Sequence, residues 1–203
     1  MTINVSLTTF MSYLNGSSYS KIKTVQKAKE ESMVEYEPYK DYWFKFRNKV
    51  VSVHKAGFNE DNLRTVIDDV PDDRQMNYKT IVDGYCKFLN KRKKAVWRDP
   101  VQKKWVKGNL HVSINPEVCL EHKGKIYLIK LFIHINEKMS RKQADLITTL
   151  MRDSLGKKVP DNLVCCVLDV KKGTLYEERE DNPVIKALLD AEALGFAELW
   201  KQL

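Results

Sequence analysis

Apolar residues in the first half of the chain recur at helical spacing, and long stretches of the second half alternate as strands do. Val5, Leu7, Phe10, Met11 and Leu14 form a short helical stripe, broken by Asn15-Gly16-Ser17-Ser18. Residues 19–34 predict a mostly polar helix anchored by Tyr19, Ile22, Val25 and Met33. Tyr36-Glu37-Pro38 marks a boundary, because the residue before proline avoids the helical region. Tyr42, Trp43, Phe46, Val50 and Val53 then line one face of a helix that stops at Ala56-Gly57, where glycine suits the C-cap. A shorter helix follows from Asn59 to Ile67, and Val70-Pro71-Asp72-Asp73 reads as a turn. Residues 75–90 carry a wide apolar stripe of Tyr78, Ile81, Val82, Tyr85, Phe88 and Leu89. The aromatic residues of these helices read as core.

The period changes near residue 109. Trp97-Arg98-Asp99-Pro100 breaks the helix, and the pattern assigns no element to 101–106. Residues 110–115 alternate, with Val112 and Ile114 on one face and His111 and Ser113 on the other. Pro116 interrupts, since it lacks the N–H that a central strand needs. Residues 118–121 predict a short strand, and His122-Lys123-Gly124-Lys125 a hairpin turn. The longest strand spans 126–135. Tyr127, Ile129 and Leu131 lie on one face and Ile126, Leu128, Lys130 and Phe132 on the other, so both faces are covered. Ser140-Arg141-Lys142-Gln143 has the form of a capping box, and the helix it opens runs to Leu155 and Gly156. Residues 163–170 make an apolar strand reached through that helix, which predicts a right-handed crossover to a parallel neighbour. Residues 174–176 predict a hairpin partner. Pro183 opens a last helix as its first residue.

These elements predict an α+β fold. A helical region, residues 1–74, packs on an α/β core, residues 75–203, made of a three-stranded antiparallel meander, a crossover helix, a fourth strand and a C-terminal helix. The whole chain has 203 residues, enough for one ordinary core. No apolar run approaches the ~18 residues of a membrane span, and the N-terminus lacks the basic region of a secretory signal. Cys86, Cys119, Cys165 and Cys166 form no CxxC pair. They read as buried free thiols in a reducing compartment, and the expected location is cytoplasmic.

Charge alters this picture at one place. Between Lys87 and Lys107 stand nine Lys and Arg and one acid, an excess equal to the whole chain's net charge of +8. Part of the run, Lys91-Arg92-Lys93-Lys94, ends a helix, where cations oppose the negative end of its dipole. The block as a whole points to a polyanionic partner, DNA or RNA. Lys91, Arg92, Lys93, Lys94, Arg98, Lys103 and Lys104 would contact phosphates. Trp97 and Trp105, within the same block, would offer indole faces to an unpaired base. From Glu177 onward seven acids oppose three bases, which suggests docking against a basic surface of a protein partner or a second copy. The four histidines show no metal-ligand spacing, and neither a Gly-rich phosphate loop nor a GxSxG elbow occurs.

The order helix, three strands, helix, strand resembles the PD-(D/E)XK nuclease-like superfamily, over roughly residues 75–176. In that superfamily an acid opens the second strand and a (D/E)xK triplet lies on the third. The acids hold Mg²⁺, and the lysine helps position the attacking water. The resemblance puts Glu117, after Pro116, in the first acid's place and Lys130 in the lysine's. Leu128 stands where the triplet has its acid. Glu121 would substitute as a metal ligand beside Glu117, although the strand rise separates the two by about 13 Å. A literal PD and DxK pair at Pro160-Asp161 and Asp169-Val170-Lys171 is a spacing accident, its acids about 26 Å apart on one strand. The motif Asn115-Pro116-Glu117, the glycine turn and Ile129-Lys130-Leu131 are also similar to a group of bacterial proteins without an established activity. The expectation is nucleic-acid binding on a nuclease-like scaffold whose cleavage is weak or lost, with no cofactor required. The alternatives are a non-catalytic protein-interaction module and a Mg²⁺-dependent nuclease with a displaced acid.

Overall fold

The computed structural model describes residues 2–34, 41–156 and 159–203. The boundary expected at Tyr36-Glu37-Pro38 lies outside them. The described elements reduce to two sheets with helices on either side. A five-stranded sheet runs in the order β2 (Val96–Trp97), β5 (Val118–His122), β6 (Lys125–Phe132), β7 (Leu163–Asp169), β8 (Thr174–Glu177). The β6–β7 pair is parallel and the other neighbours are antiparallel. A three-stranded sheet runs β1 (Ile3–Ser6), β4 (Leu110–Ile114), β3 (Lys103–Lys107), with β1 parallel to β4.

The alternation read from β6 sorts side chains between two cores. Tyr127, Ile129 and Leu131 join Val118, Leu120, Cys166 and Leu168 on one face, covered by α3 (Phe44–Lys55), α4 (Glu60–Arg64) and α5 (Asp72–Asn90). Leu128, Cys119, Cys165 and Val167 point the other way. There they meet α6 (Arg141–Leu155), the small sheet, α1 (Leu7–Asn15), α2 (Ser18–Glu31) and α7 (Pro183–Gln202). Both faces being sealed explains why β6 and β7 read as nearly continuous apolar runs.

Local signals account for the helix ends. Ser140 and Gln143 form the expected capping box of α6. Asn182 caps α7 through the Val184 and Ile185 amides, with Pro183 in its first turn. Gly84, inside α5, has a tertiary reason. A Cβ there would lie 2.0 Å from the Val170 carbonyl oxygen, so the helix touches the β7 end backbone to backbone. Gly173, at φ +63°, makes the reciprocal approach, where a Cβ would lie 2.6 Å from the Gly84 carbonyl oxygen.

Three expectations need correction. The strand at Leu110–Ile114 does not open a meander with β5, but pairs with β3 and β1 in the other sheet. The five-stranded sheet has the two-residue β2 beside β5 instead, and β3 and β4 form a hairpin in the other sheet. The stripe beginning at Val5 is strand until Ser6 and helix only afterwards. The long strand ends at Phe132 and not at residue 135.

Candidate functional site

The corner after β4 and the end of β6 bring two of the predicted residues together. Glu117 immediately precedes β5, and the antiparallel β5–β6 register carries it opposite Lys130. The Lys130 ammonium donates to the Glu117 carboxylate and, at 3.0 Å, to the Asn115 carbonyl. The other Glu117 oxygen accepts the Leu131 N–H at 2.9 Å. Both side chains are largely buried, Lys130 at 18% and Glu117 at 12% exposure. A covered ammonium needs such a partner, because desolvating an unpaired charge costs several kcal/mol. The pair lines a cleft of about 1810 Å³ that also reaches α1 and α3.

The remaining nuclease-like positions do not gather there. Leu128 is 1% exposed and is paired in register with Cys119 on one side and Cys165 on the other. Glu121 stands opposite Ile126, at the far end of β5, and bonds to Arg98. Thus the residue expected as a displaced metal ligand and one expected to contact phosphate instead bind each other. Among the described residues no cluster of three His, Cys, Asp or Glu side chains could hold a metal. Mg²⁺ takes several oxygen ligands, and Glu117 has both oxygens engaged. The residues at this corner do not fit that ion. Asp169, from the rejected literal motif, is 2% exposed; its carboxylate accepts the Lys172 N–H at the turn after β7.

The four thiols are free and buried. Burial pushes Cys119 up to about 11 and Cys86 and Cys165 up to about 12, and raises Cys166 as well.

The basic block spans the turn after α5, then β2 and β3. Lys91, Lys93, Lys94 and Lys103 are exposed, and none has an ion-pair partner among the described residues. Lys104 is exposed and donates to the Asn4 side chain. Arg92 lies over the rings of Phe88 and Tyr127, at 4.6 and 5.6 Å from their centroids. Its Nε is buried without an acceptor among the described residues. Trp97 is half-buried on the β2 edge. Trp105 is not available to a base: it is 2% exposed, and its Nε1 donates to Asp153 at 2.7 Å.

The cleft differs in sign from the basic block. The described walls of the Glu117–Lys130 cleft carry six carboxylates against three Lys or Arg side chains. Five of the seven acids from Glu177 onward pair with cations of the chain. Glu178 holds Arg152, Asp190 holds Lys107, and Glu192 holds Lys21. No residue pattern marks the Asn115 carbonyl or the Leu131 amide, because backbone groups carry no residue signature. His54 is a further residue that spacing does not single out. It is 7% exposed on α3, with Nε2 2.7 Å from the Tyr85 hydroxyl.

No protein-family model and no curated protein matches the chain. No described helix is long and apolar enough to cross a membrane.

Proposed function

We propose that the protein binds nucleic acid along the cationic edge that runs from the end of α5 over β2 to β3, on a nuclease-like scaffold that no longer cleaves. One observation carries the reading. Lys91, Lys93, Lys94 and Lys103 are exposed and lack ion-pair partners among the described residues, whereas most acids of the tail are matched within the chain. Such an uncompensated run attracts a polyphosphate backbone. The order α5, β2, β5, β6, α6, β7 supports the resemblance to the PD-(D/E)XK core. Leu128 in the core, and Glu117 committed to Lys130, favour binding over metal-assisted cleavage. Self-docking through the acidic tail has less support, since its acids already hold Lys21, Lys107 and Arg152.

The test is fluorescence anisotropy with labelled DNA and RNA strands at several salt concentrations. Binding weakens steeply with salt. Replacing Lys91, Lys93 and Lys94 together by alanine flattens the logarithmic salt slope by roughly 2–3. Absence of binding at low salt, or an affinity indifferent to salt, overturns the reading.

A further inference from the structure

We propose that the pocket between the ends of α3 and α5 and strand β2 receives one unstacked nucleobase with its phosphate, so that the nucleic acid held at the cationic edge is single-stranded. This inference rests on the reading above and adds the form of the ligand. The pocket encloses about 680 Å³, within the ~300–1,000 Å³ of pockets that bury small ligands. Its wall combines flat rings and cations: Trp97, His54 and Phe58, with Lys55, Arg92 and Lys93.

The rings are braced as a platform. Trp97 stacks on His54, with centroids 5.2 Å apart and planes 19° apart. His54 in turn lies 4.9 Å from Phe58 and is tied to the Tyr85 hydroxyl. Burial pushes the His54 pKa down to about 4, so the stack stays neutral at pH 7. Trp97 thus has fixed support, which lowers the entropy lost when a base stacks on it.

The cations are arranged differently from surface lysines that merely solvate. The Arg92 guanidinium is held against Phe88 and Tyr127 and has no carboxylate partner among the described residues. Its buried Nε, without a partner among the described residues, marks a positive group that they leave uncompensated. Lys93 is exposed next to it. Glu60, the acid on this wall, is neutralised by Arg64 at 2.7 Å. A duplex hides its base faces in its own stack, whereas a single strand offers them to an aromatic ring. A pocket with a ring platform and an uncompensated arginine fits a base and the phosphate attached to it.

Labelled single strands and a blunt duplex of the same sequence separate the claims, with a nucleoside 5′-monophosphate as competitor. The intact protein binds the single strand more tightly than the duplex, and its tryptophan fluorescence is quenched on binding. Trp97→Ala weakens the single strand by about tenfold or more and leaves the duplex unchanged. Trp97→Phe retains most of the affinity but loses the quench. Circular dichroism melts establish that each variant is folded. If Trp97→Ala does not fold, Trp97→Phe and Arg92→Met decide: a retained quench in the first, or unchanged single-strand affinity in the second, overturns the pocket. Salt-sensitive binding of both nucleic-acid forms without any effect of Trp97 overturns the pocket while the cationic edge stands. No binding of either form removes both. Tight binding of the free mononucleotide without strand binding overturns the single-strand assignment.

Discussion

Glu117 and Lys130 face each other across adjacent strands, and each supplies the countercharge that allows the other to be covered. Glu117 also accepts the Leu131 amide, so its carboxylate ties together a lysine and the backbone of β6. Glu117→Gln and Lys130→Met each leave one largely desolvated charge without its partner. Each should cost about 2–3 kcal/mol, somewhat below the ~3–5 of a fully buried pair. The double variant should cost less than the two singles combined. Urea denaturation of all four proteins measures this coupling. Additive single costs would mean that the two side chains act independently.

Leu128 occupies the position where the nuclease-like pattern needs an acid, and its surroundings are Cys119 and Cys165. Leu128→Glu should therefore destabilise by at least about 4 kcal/mol, through lost packing and a carboxyl group without partners. Millimolar Mg²⁺ should not restore the melting temperature. A Mg²⁺-dependent rise in the variant would place a metal site on this strand and reverse the assignment.

His54 should make stability depend on pH. Its folded pKa lies near 4 and its ordinary value is 6.5, with burial as the cause. Between those values the unfolded chain takes up a proton that the folded chain refuses. Stability conferred by neutral His54 is therefore present above pH 6.5 and falls as pH drops toward 4, by about 3 kcal/mol for this group. Urea midpoints measured at about pH 7 and again near the folded pKa should fall further for the intact protein than for His54→Gln. Equal losses in both proteins would assign the acid sensitivity to other groups.

Gly84 and Gly57 make opposite predictions from the same residue type. Gly84→Ala drives a Cβ into the Val170 carbonyl, so α5 must move off the β7 end. That should cost upward of about 3 kcal/mol. Gly57 has φ +88° but no described residue within reach of an added Cβ, so Gly57→Ala should cost only about 1–2 kcal/mol of backbone strain. Thermal melts of the two variants compare close packing with conformational preference.

Much of this fold can be read from periodicity because the elements concerned bury their faces locally. The stripe of Tyr78, Ile81, Val82, Tyr85, Phe88 and Leu89 needs only one face against a sheet, and the alternation in β6 records which core each residue enters. Pairing partners are less visible. Leu110–Ile114 is a strand by pattern, but nothing in its alternation says that its neighbours are Lys103–Lys107 and Ile3–Ser6 rather than Val118–His122. The cross-strand meeting of Glu117 and Lys130 follows from the hairpin register once the Gly124 turn is placed. Arg98 and Glu121 are legible only as separate charges, because their bond depends on β2 lying beside β5. Trp105 departs from expectation for a related reason: flanking lysines suggest solvent, while strand alternation turns its ring inward to Asp153.

The parallel pairing of β1 with β4 also sets an order of events during synthesis. Ile3–Ser6 is made long before its template, residues 110–113, which emerges only after α5 and the β3 strand. Until then the segment has no ladder to join, and β4 in turn presents an open edge until the segment returns. Such long-range closure is slow and leaves a strand edge accessible to other chains. Nascent chains are therefore open to mispairing at this edge until the early segment closes it.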